Sequence, residues 1–366
     1  MTRKEFIKIC GILGIGLPIQ TSFISCMKDD DSKPYDGKVL IIGAGAGGLT
    51  AGYLLQQQGV EFEILEASNK YGGRMKVNES FADFPIPLGA EWLETGQNIF
   101  SEIVNDSSIN VEVETVKDAP DRKFVNYSWY NFFEEYIVPS ISDKIRYNQM
   151  VESIDYSNDQ IIVKTPLEMY NADKVIVCVP LKVIKDGDIS FIPNLPQDKL
   201  DAISKSVIWE GFKAFFEFST KFYEDEFEFQ IEPKSDGEKI YYNASFGQNT
   251  SKHILGLFVV GKPALDYTSL SDEALKSFVL SELDGMYSNK ATANYIKHIT
   301  QNWENEPFIK SGYLSEYADY QTVSILGKQV SNKIYFSGGE FTDGEDWVSV
   351  HTAARSAKKV VEELSS

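Results

Sequence analysis

The order of apolar and polar positions near the start of the chain predicts a strand, a helix and a second strand. The apolar run at 39–42 indicates a fully buried strand. Apolar residues recur with helical spacing over 49–58, and Gly59 follows as a helix C-cap. The run at 61–65 predicts a second strand, which is followed directly by the acidic residue Glu66.

A glycine-rich turn joins the first strand to the helix. Gly43 permits the tight turn, Gly45 lets the backbone approach a pyrophosphate, and Gly48 lets helix and strand pack closely. The helix N-terminus faces the phosphates, and Glu66 is placed to accept hydrogen bonds from ribose hydroxyls. Because these parts stand in the required order, we predict a dinucleotide site. Its predicted contacts are Gly43, Gly45, Ala46, Gly47, Gly48, Glu66 and Ala67.

Later apolar runs predict two further groups of elements. Strands are predicted at 161–163 and 175–179, after the dinucleotide motif, and at 333–337 near the end of the chain. A second group of strands begins at 211–218 and continues to about residue 260, before a helix near 272–286. This second group predicts a mostly antiparallel sheet flanked by helices.

Composition narrows the classes of function. With 366 residues and 43% apolar content, the chain can bury a large core, and we predict two domains. The net charge of -19 argues against nucleic acid or an anionic membrane as a partner, and an acidic surface more often serves solubility than substrate attraction. The three histidines lack metal-ligand spacing, so no metal site is predicted. Only Cys178 lies outside the leader, and we interpret it as a buried filler.

Residues 1–26 have the pattern of a targeting leader. A basic start precedes an apolar run at 9–19 that is too short to span a bilayer. The start resembles a twin-arginine export signal with lysine as the second basic residue, and 23–26 resembles a lipobox with Cys26 as the lipidated residue. We therefore expect an exported cell-envelope lipoprotein, periplasmic or surface-exposed, with a linker at 27–37. A plain cleaved signal peptide and an uncleaved anchor remain the alternatives.

A second glycine motif, Tyr71-Gly72-Gly73-Arg74-Met75, follows the second strand. An arginine fork beside bare backbone suits another approach to the same diphosphate. Further motifs are Ser311-Gly312-Tyr313, Gly339-Glu340-Phe341-Thr342 and the segment 350–357. Together they resemble the flavin-containing amine oxidase family over most of residues 36–362.

The resemblance implies an α/β fold with a Rossmann-like FAD-binding domain and an interleaved substrate domain. The FAD-binding domain is expected at 38–98, 140–202 and 306–366. The substrate domain is expected at 99–139 and 203–305. Because 97–147 is shorter than the helical insert of larger amine oxidases, we expect a more open site or closure by another chain.

The resemblance also implies further FAD contacts at Gly73, Arg74, Gly89, Ala90, Glu91, Trp92, Val151, Gly339, Glu340 and Val350. Gly312 stands where monoamine oxidases carry the cysteine that bonds to the flavin, so FAD is expected to be non-covalent. Two departures from the family concern the flavin wall. Thr352 replaces a glycine and could crowd the flavin, and Ser349 occupies the register of an aromatic residue, with Trp347 the nearest ring.

The candidate catalytic residues are Lys213 and Tyr313. In the family, a lysine at the place of Lys213 holds a water against flavin N5 and assists the reaction with oxygen, while a ring at Tyr313 guides the amine. The implied reaction is oxidation of a C–N bond in a small-molecule amine by hydride transfer to flavin N5, with reoxidation by O2. The alternatives are a C–C desaturase of the same fold and a surface lipoprotein that binds a partner without turnover.

Overall fold

The structure is a computed structural model that describes residues 35–115, 122–224, 226–228 and 236–364. The predicted leader at 1–26, with Cys26, and the linker up to residue 34 lie outside the described residues. Within the described ranges, no helix has both the length and the apolar character needed to cross a membrane.

The strands are β1 Val39–Ile42, β2 Phe62–Leu65, β3 Val77–Asn78, β4 Ile86–Pro87, β5 Trp92–Leu93, β6 Val113–Thr115, β7 Arg122–Phe124, β8 Ile145–Arg146, β9 Ser153–Asp155, β10 Ile161–Lys164, β11 Met169–Ala172, β12 Lys174–Val177, β13 Ser190–Ile192, β14 Gly211–Phe218, β15 Glu226–Glu228, β16 Gly237–Asn243, β17 His253–Gly261, β18 Tyr295–Asn302 and β19 Ile334–Phe336. The α-helices are α1 Ala46–Gln58, α2 Asn98–Val104, α3 Trp129–Tyr136, α4 Leu181–Lys185, α5 Gln197–Lys205, α6 Leu265–Thr268, α7 Asp272–Tyr287, α8 Lys290–Asn294, α9 Tyr320–Gly327 and α10 Val350–Leu364. Short 3₁₀ turns lie at Gly73–Met75, Val138–Ser140, Ser142–Lys144, Lys262–Ala264 and Trp303–Asn305.

A parallel five-stranded sheet forms the centre of the first domain, in the order β19-β12-β1-β2-β8. Its strand β1 is buried on both faces, as the apolar run predicts. Val39 and Ile41 face the core shared with α1 and α10, whereas Leu40 and Ile42 face the core shared with the β11-β10-β9-β13 sheet. Gly59 ends α1 in the left-handed conformation with φ 72°. The predicted Rossmann-like arrangement is confirmed.

The second domain is built on an antiparallel sheet in the order β15-β16-β17-β14-β18. Strand β14 is buried on both faces, so its two sets of side chains enter different cores. Phe212 and Phe216 pack toward α7, while Phe215 packs on the other face against residues 81–88. Because side chains alternate along a strand, Lys213 shares the face of Phe215 and points toward the first domain.

The described residues at 99–115 and 122–139 pack against both domains, whereas the predicted boundaries assign this segment to the substrate domain alone. Phe100 on α2 and Phe132 on α3 lie in the same core as β1 and α1. The small β5-β7-β6 sheet and the turn after it reach the second domain. Lys123 on β7 donates hydrogen bonds to the carbonyl oxygens of Asn243 and Ala244, and Asn126 exchanges hydrogen bonds with residues 248 and 249. The ring contacts of Phe100 with Trp129 and Phe132 join the two helices, and the core that they share with β1 and α1 gives the physical reason for their place in the first domain.

Candidate active site

A cavity of about 1560 Å³ runs from the glycine turn after β1 to the wall formed by β14 and β17. This volume exceeds the ~300–1,000 Å³ of typical small-molecule pockets, so it has room for a dinucleotide and a substrate. The predicted site residues that line it are Gly43, Gly45, Ala46, Gly47, Glu66, Ala67, Gly73, Arg74, Gly89, Ala90, Glu91, Trp92, Val151, Lys213, Tyr313, Gly339 and Val350. Gly48 and Glu340 are absent from this lining.

The two glycine turns meet at one end of the cavity. A Cβ added to Gly45 would have no heavy atom within 4 Å, and a Cβ added to Gly73 would lie 3.5 Å from the Gly45 Cα. Gly45 has φ -84°, which any residue adopts, so neither strain nor packing requires glycine there. An approaching ligand gives the physical reason for it. Gly48 differs, because its added Cβ would lie 1.9 Å from the carbonyl oxygen of Gly43.

The carboxylate of Glu66 is fixed at the cavity wall by two backbone amides. Its Oε2 accepts a hydrogen bond from the Ala44 N–H at 2.7 Å, and its Oε1 accepts one from the Ser68 N–H at 2.9 Å. A carboxylate offers about four lone-pair directions, so both oxygens can still accept from ribose hydroxyls. The geometry suits the predicted role of Glu66.

Arg74 and Glu340 form a pair in which only Arg74 reaches the cavity. The guanidinium donates to Glu340 Oε1 at 2.7 Å and to the Gly312 carbonyl oxygen at 2.8 Å. The other Glu340 oxygen accepts from the Leu181 N–H at 2.8 Å. Glu340 is buried behind the lining, where it orients Arg74, and its contact with the cofactor stays a prediction.

Thr352 and Ser349, the two departures from the family near the start of α10, change the cavity wall less than the sequence suggested. The Thr352 hydroxyl donates to the Ser349 carbonyl oxygen at 2.7 Å and accepts from the Ser349 N–H at 3.0 Å. Thr352 therefore points into the helix terminus and does not line the cavity, so the expected crowding is absent. Ser349 lines the cavity and its hydroxyl donates to Glu94, while Trp347 lies outside the lining.

Lys213 is the centre of a buried group of polar side chains, which we call the charge cluster: Lys213, Glu91, Lys123 and Tyr242. The Lys213 Nζ donates to Glu91 Oε2 at 2.7 Å, to the Gly89 carbonyl oxygen at 2.9 Å and to the Pro87 carbonyl oxygen at 3.2 Å. The Tyr242 hydroxyl donates to the same Glu91 oxygen at 2.5 Å. Lys123 Nζ lies 3.4 Å from Glu91 Oε1.

The charge cluster has perturbed ionisation. Burial lowers the pKa of Lys213 below its usual range, and Glu91 partly opposes this change. Burial likewise lowers the pKa of Lys123, again against the effect of Glu91. Burial alone would raise the pKa of Glu91, but Lys213 and Lys123 outweigh it and the net pKa is lowered. The carboxylate is therefore ionised at neutral pH.

Tyr313 forms an aromatic wall in an acidic surrounding. Burial, followed by the charges of Glu316, Glu238 and Glu94, raises the pKa of Tyr313 well above its ordinary value. Glu94 and Glu316 also line the cavity. A neutral phenol ring beside carboxylates provides a favourable place for an ammonium group.

The residues of the cavity fit FAD. The open space beside Gly45, the adjoining glycine at Gly73 and the fixed carboxylate of Glu66 suit a diphosphate and a ribose. The remaining length runs past Gly89, Ala90 and Glu91 to Lys213, where a flavin ring would be accommodated. Among the described residues, no three His, Cys, Asp or Glu side chains are grouped to hold a metal ion.

Several site residues were missed by sequence reasoning. Lys123 and Tyr242 lie more than a hundred residues apart and meet only through the pairing of distant segments. Glu94 has a local signal, because it lies two residues after the predicted contact Trp92. Cys178, interpreted as a buried filler, is only half-buried and lines the cavity at the end of β12.

Two family models match the chain. The model described as flavin containing amine oxidoreductase matches residues 132–365, and that of an NAD(P)-binding Rossmann-like domain matches residues 41–106. Among solved structures, a triple mutant of putrescine oxidase, redesigned for cofactor binding, superposes with a TM-score of 0.74 at 14% identity. The superposition covers 89% of this chain and 98% of that one. At this identity, the likeness shows the shared fold.

Characterised relatives match about half of the chain. Lysine-specific histone demethylase 1B of Mus musculus is 22% identical over 201 residues, which is 53% of this chain and 24% of that protein. Lysine-specific histone demethylase 1 homolog 1 of Oryza sativa subsp. japonica is 27% identical over 204 residues, again 53% of this chain and 24% of that protein. The match thus spans about a quarter of the length of these relatives.

Proposed function

Because the chain belongs to the flavin-containing amine oxidoreductase family, we propose that it is an FAD-dependent enzyme that oxidises the C–N bond of a cationic amine. Bound FAD would accept a hydride from that bond and pass the electrons on to O2. The observation that carries the proposal is the shared cavity, because the glycine turns, Lys213 and Tyr313 all line it.

The chain's own residues supply binding and orientation. Glu94 and Glu316 attract a positive amine, and the Tyr313 ring offers a face against which its nitrogen can rest. The Lys213 ammonium also lines the cavity and is fixed by Glu91, and there it would stabilise negative charge that develops on oxygen.

The acidic residues around Tyr313 favour an amine substrate over the substrates of the alternative function, a C–C desaturase. The alternative C–C desaturase would act on an isoprenoid or a porphyrin. Neither carries an ammonium group, so such an enzyme would gain nothing from carboxylates beside its substrate. The names of the relatives refer to lysine and putrescine, both amines, which supports the same choice. Closure of the cavity by another chain stays a prediction.

The proposal is tested on purified protein. We expect a flavin absorption spectrum, release of FAD into the supernatant on acid precipitation because Gly312 provides no thiol, and peroxide formation with some members of a panel of mono-, di- and polyamines. Flavin that stays on the precipitated chain would contradict non-covalent binding. The desaturase would be favoured by a flavin-loaded protein that forms no peroxide with any amine but whose flavin is reduced by a hydrocarbon with a saturated C–C bond.

We also propose that the protein is exported and anchored through a lipid on Cys26. The support is the basic and apolar order of residues 1–26 and the lipobox-like run at 23–26. Cys26→Ser is expected to remove the lipid mass and to move the protein from the membrane fraction to the soluble envelope fraction. Unchanged membrane association, with no lipid mass on the wild type, would indicate an ordinary anchor instead.

A further inference from the structure

The charge cluster contains more positive than negative groups, although it lies in the interior of the protein. We propose that Lys123 gives this cluster a net positive charge, that Glu91 is the positioning residue for Lys213, and that the cluster raises the reduction potential of FAD in the cavity. The inference rests on the proposed function, because it requires FAD beside Glu91 and Lys213.

The hydrogen bonds of Lys213 require a charged ammonium. Its Nζ faces two carbonyl oxygens, those of Pro87 and Gly89, and the carboxylate of Glu91. All three partners are acceptors, and an ammonium has three donors. A neutral amine would direct its lone pair at one of these oxygens. These three hydrogen bonds use all three N–H groups of Lys213, so none remains to hold a water. Lys213 therefore acts on the cavity through its charge.

Glu91 is what holds Lys213 in this position. Its Oε2 accepts from both Lys213 and the Tyr242 hydroxyl, so the carboxylate is fixed from two sides. Burial raises the pKa of Tyr242 well above its ordinary value, and this keeps the phenol neutral and able to donate. With Lys213 alone, the pair with Glu91 would be electrically neutral.

Lys123 supplies the additional charge. It lies 3.4 Å from Glu91 Oε1 and donates to the Asn243 and Ala244 carbonyl oxygens, which are acceptors as well. Its side chain is buried and does not line the cavity, so it is in no position to contact a substrate. Two ammonium groups and one carboxylate leave one positive charge. The Lys123 Nζ is 5.5 Å from the centre of the Trp92 ring, and Trp92 does line the cavity.

A fixed positive charge stabilises the more negative redox state of a cofactor. Uptake of two electrons and one proton makes FAD more negative by one charge, so the cluster stabilises reduced FAD over oxidised FAD. Charges act strongly across a buried, poorly screened wall. For a two-electron couple, a tenfold change in the equilibrium corresponds to about 30 mV.

The test is the midpoint potential of bound FAD in wild type and variants. Lys123→Met removes the additional charge and leaves Glu91 paired with Lys213, so we expect the potential to fall by at least about 30 mV, a tenfold change. Lys123→Gln removes the same charge but keeps a donor for the two carbonyl oxygens, and its midpoint potential should fall by a similar amount. Lys239→Met is the matched control, because Lys239 also pairs with a carboxylate, Glu282, and lies outside the cavity lining.

The double variant Lys123→Met/Glu91→Gln separates charge from packing. Glu91 opposes the lowering of the Lys213 pKa, so all variants are compared at mildly acidic pH, where Lys213 keeps its proton without this carboxylate. The double variant then has one net positive charge through Lys213, and at least half of the lost potential should return. Equal potentials in all flavin-loaded variants would overturn the inference, as would a fall of the same size in the double variant or in Lys239→Met. A wild type that takes up no flavin would contradict the proposed function itself and the inference with it.

Discussion

Gly45→Val is expected to fold normally and to purify without flavin. A Cβ at Gly45 would meet no heavy atom of the protein within 4 Å, and its φ of -84° is allowed for valine. The branched side chain would instead fill the space through which a diphosphate approaches the turn. Overpacking of this kind costs about 1–3 kcal/mol, which corresponds to a loss of affinity of about fivefold to more than a hundredfold.

The measurement is the ratio of flavin to protein absorbance, with the thermal midpoint as a check on folding. Gly285→Val is the matched control, because Gly285 in α7 also has open space around its missing Cβ but lies outside the cavity lining. That control should retain full flavin content. A Gly45→Val protein with wild-type flavin occupancy would show that the diphosphate does not lie at this turn.

The first half of the site was predictable because its signals are local. Strand β1, the glycine turn, helix α1 and Glu66 follow one another within about thirty residues, and each has a fixed role in approaching a dinucleotide. Gly73 adds a second local signal, which the structure places beside Gly45. Backbone geometry of this type depends on short sequence spacing, so sequence reasoning can reach it.

The charge cluster could not be predicted from the sequence, because its residues are far apart along the chain. Glu91, Lys123 and Lys213 come from three separate segments, and their contact depends on how β7 and β14 meet across the two domains. A lysine in a strand usually faces solvent, so nothing local marks Lys123 as buried. The resemblance to a family gave the position of Lys213 but not its partners.

The partners of Glu340 could not be predicted from its motif either. A motif shows which residue stands near a cofactor, but not whether its side chain reaches the cofactor or supports a neighbour. Here Glu340 supports Arg74 and the Leu181 amide. Thr352 shows the same limit, because its hydroxyl contacts the backbone of Ser349 and leaves the cavity wall clear.

Lys213→Met is expected to keep the fold and the FAD content but to slow reoxidation of the reduced protein by O2 by at least about tenfold. This factor corresponds to roughly 1.4 kcal/mol of barrier. Methionine keeps much of the length and apolar character of the lysine side chain while removing its charge. Glu91 would keep Lys123 and the Tyr242 hydroxyl as partners, so no buried carboxylate is left unpaired and the fold should survive.

The physical reason for the slower reaction is the lost ammonium. Electron transfer to O2 creates negative charge, and a fixed positive group at the cavity wall stabilises it without reorganisation. The experiment reduces the protein anaerobically with dithionite and mixes it with oxygenated buffer, so it requires no known amine substrate. Lys199→Met is the matched control, because Lys199 is a buried lysine that donates to the Ile325 and Leu326 carbonyl oxygens away from the cavity lining. If Lys213→Met reoxidises as fast as this control, Lys213 serves only the packing of β14, and the oxidase function loses its main support.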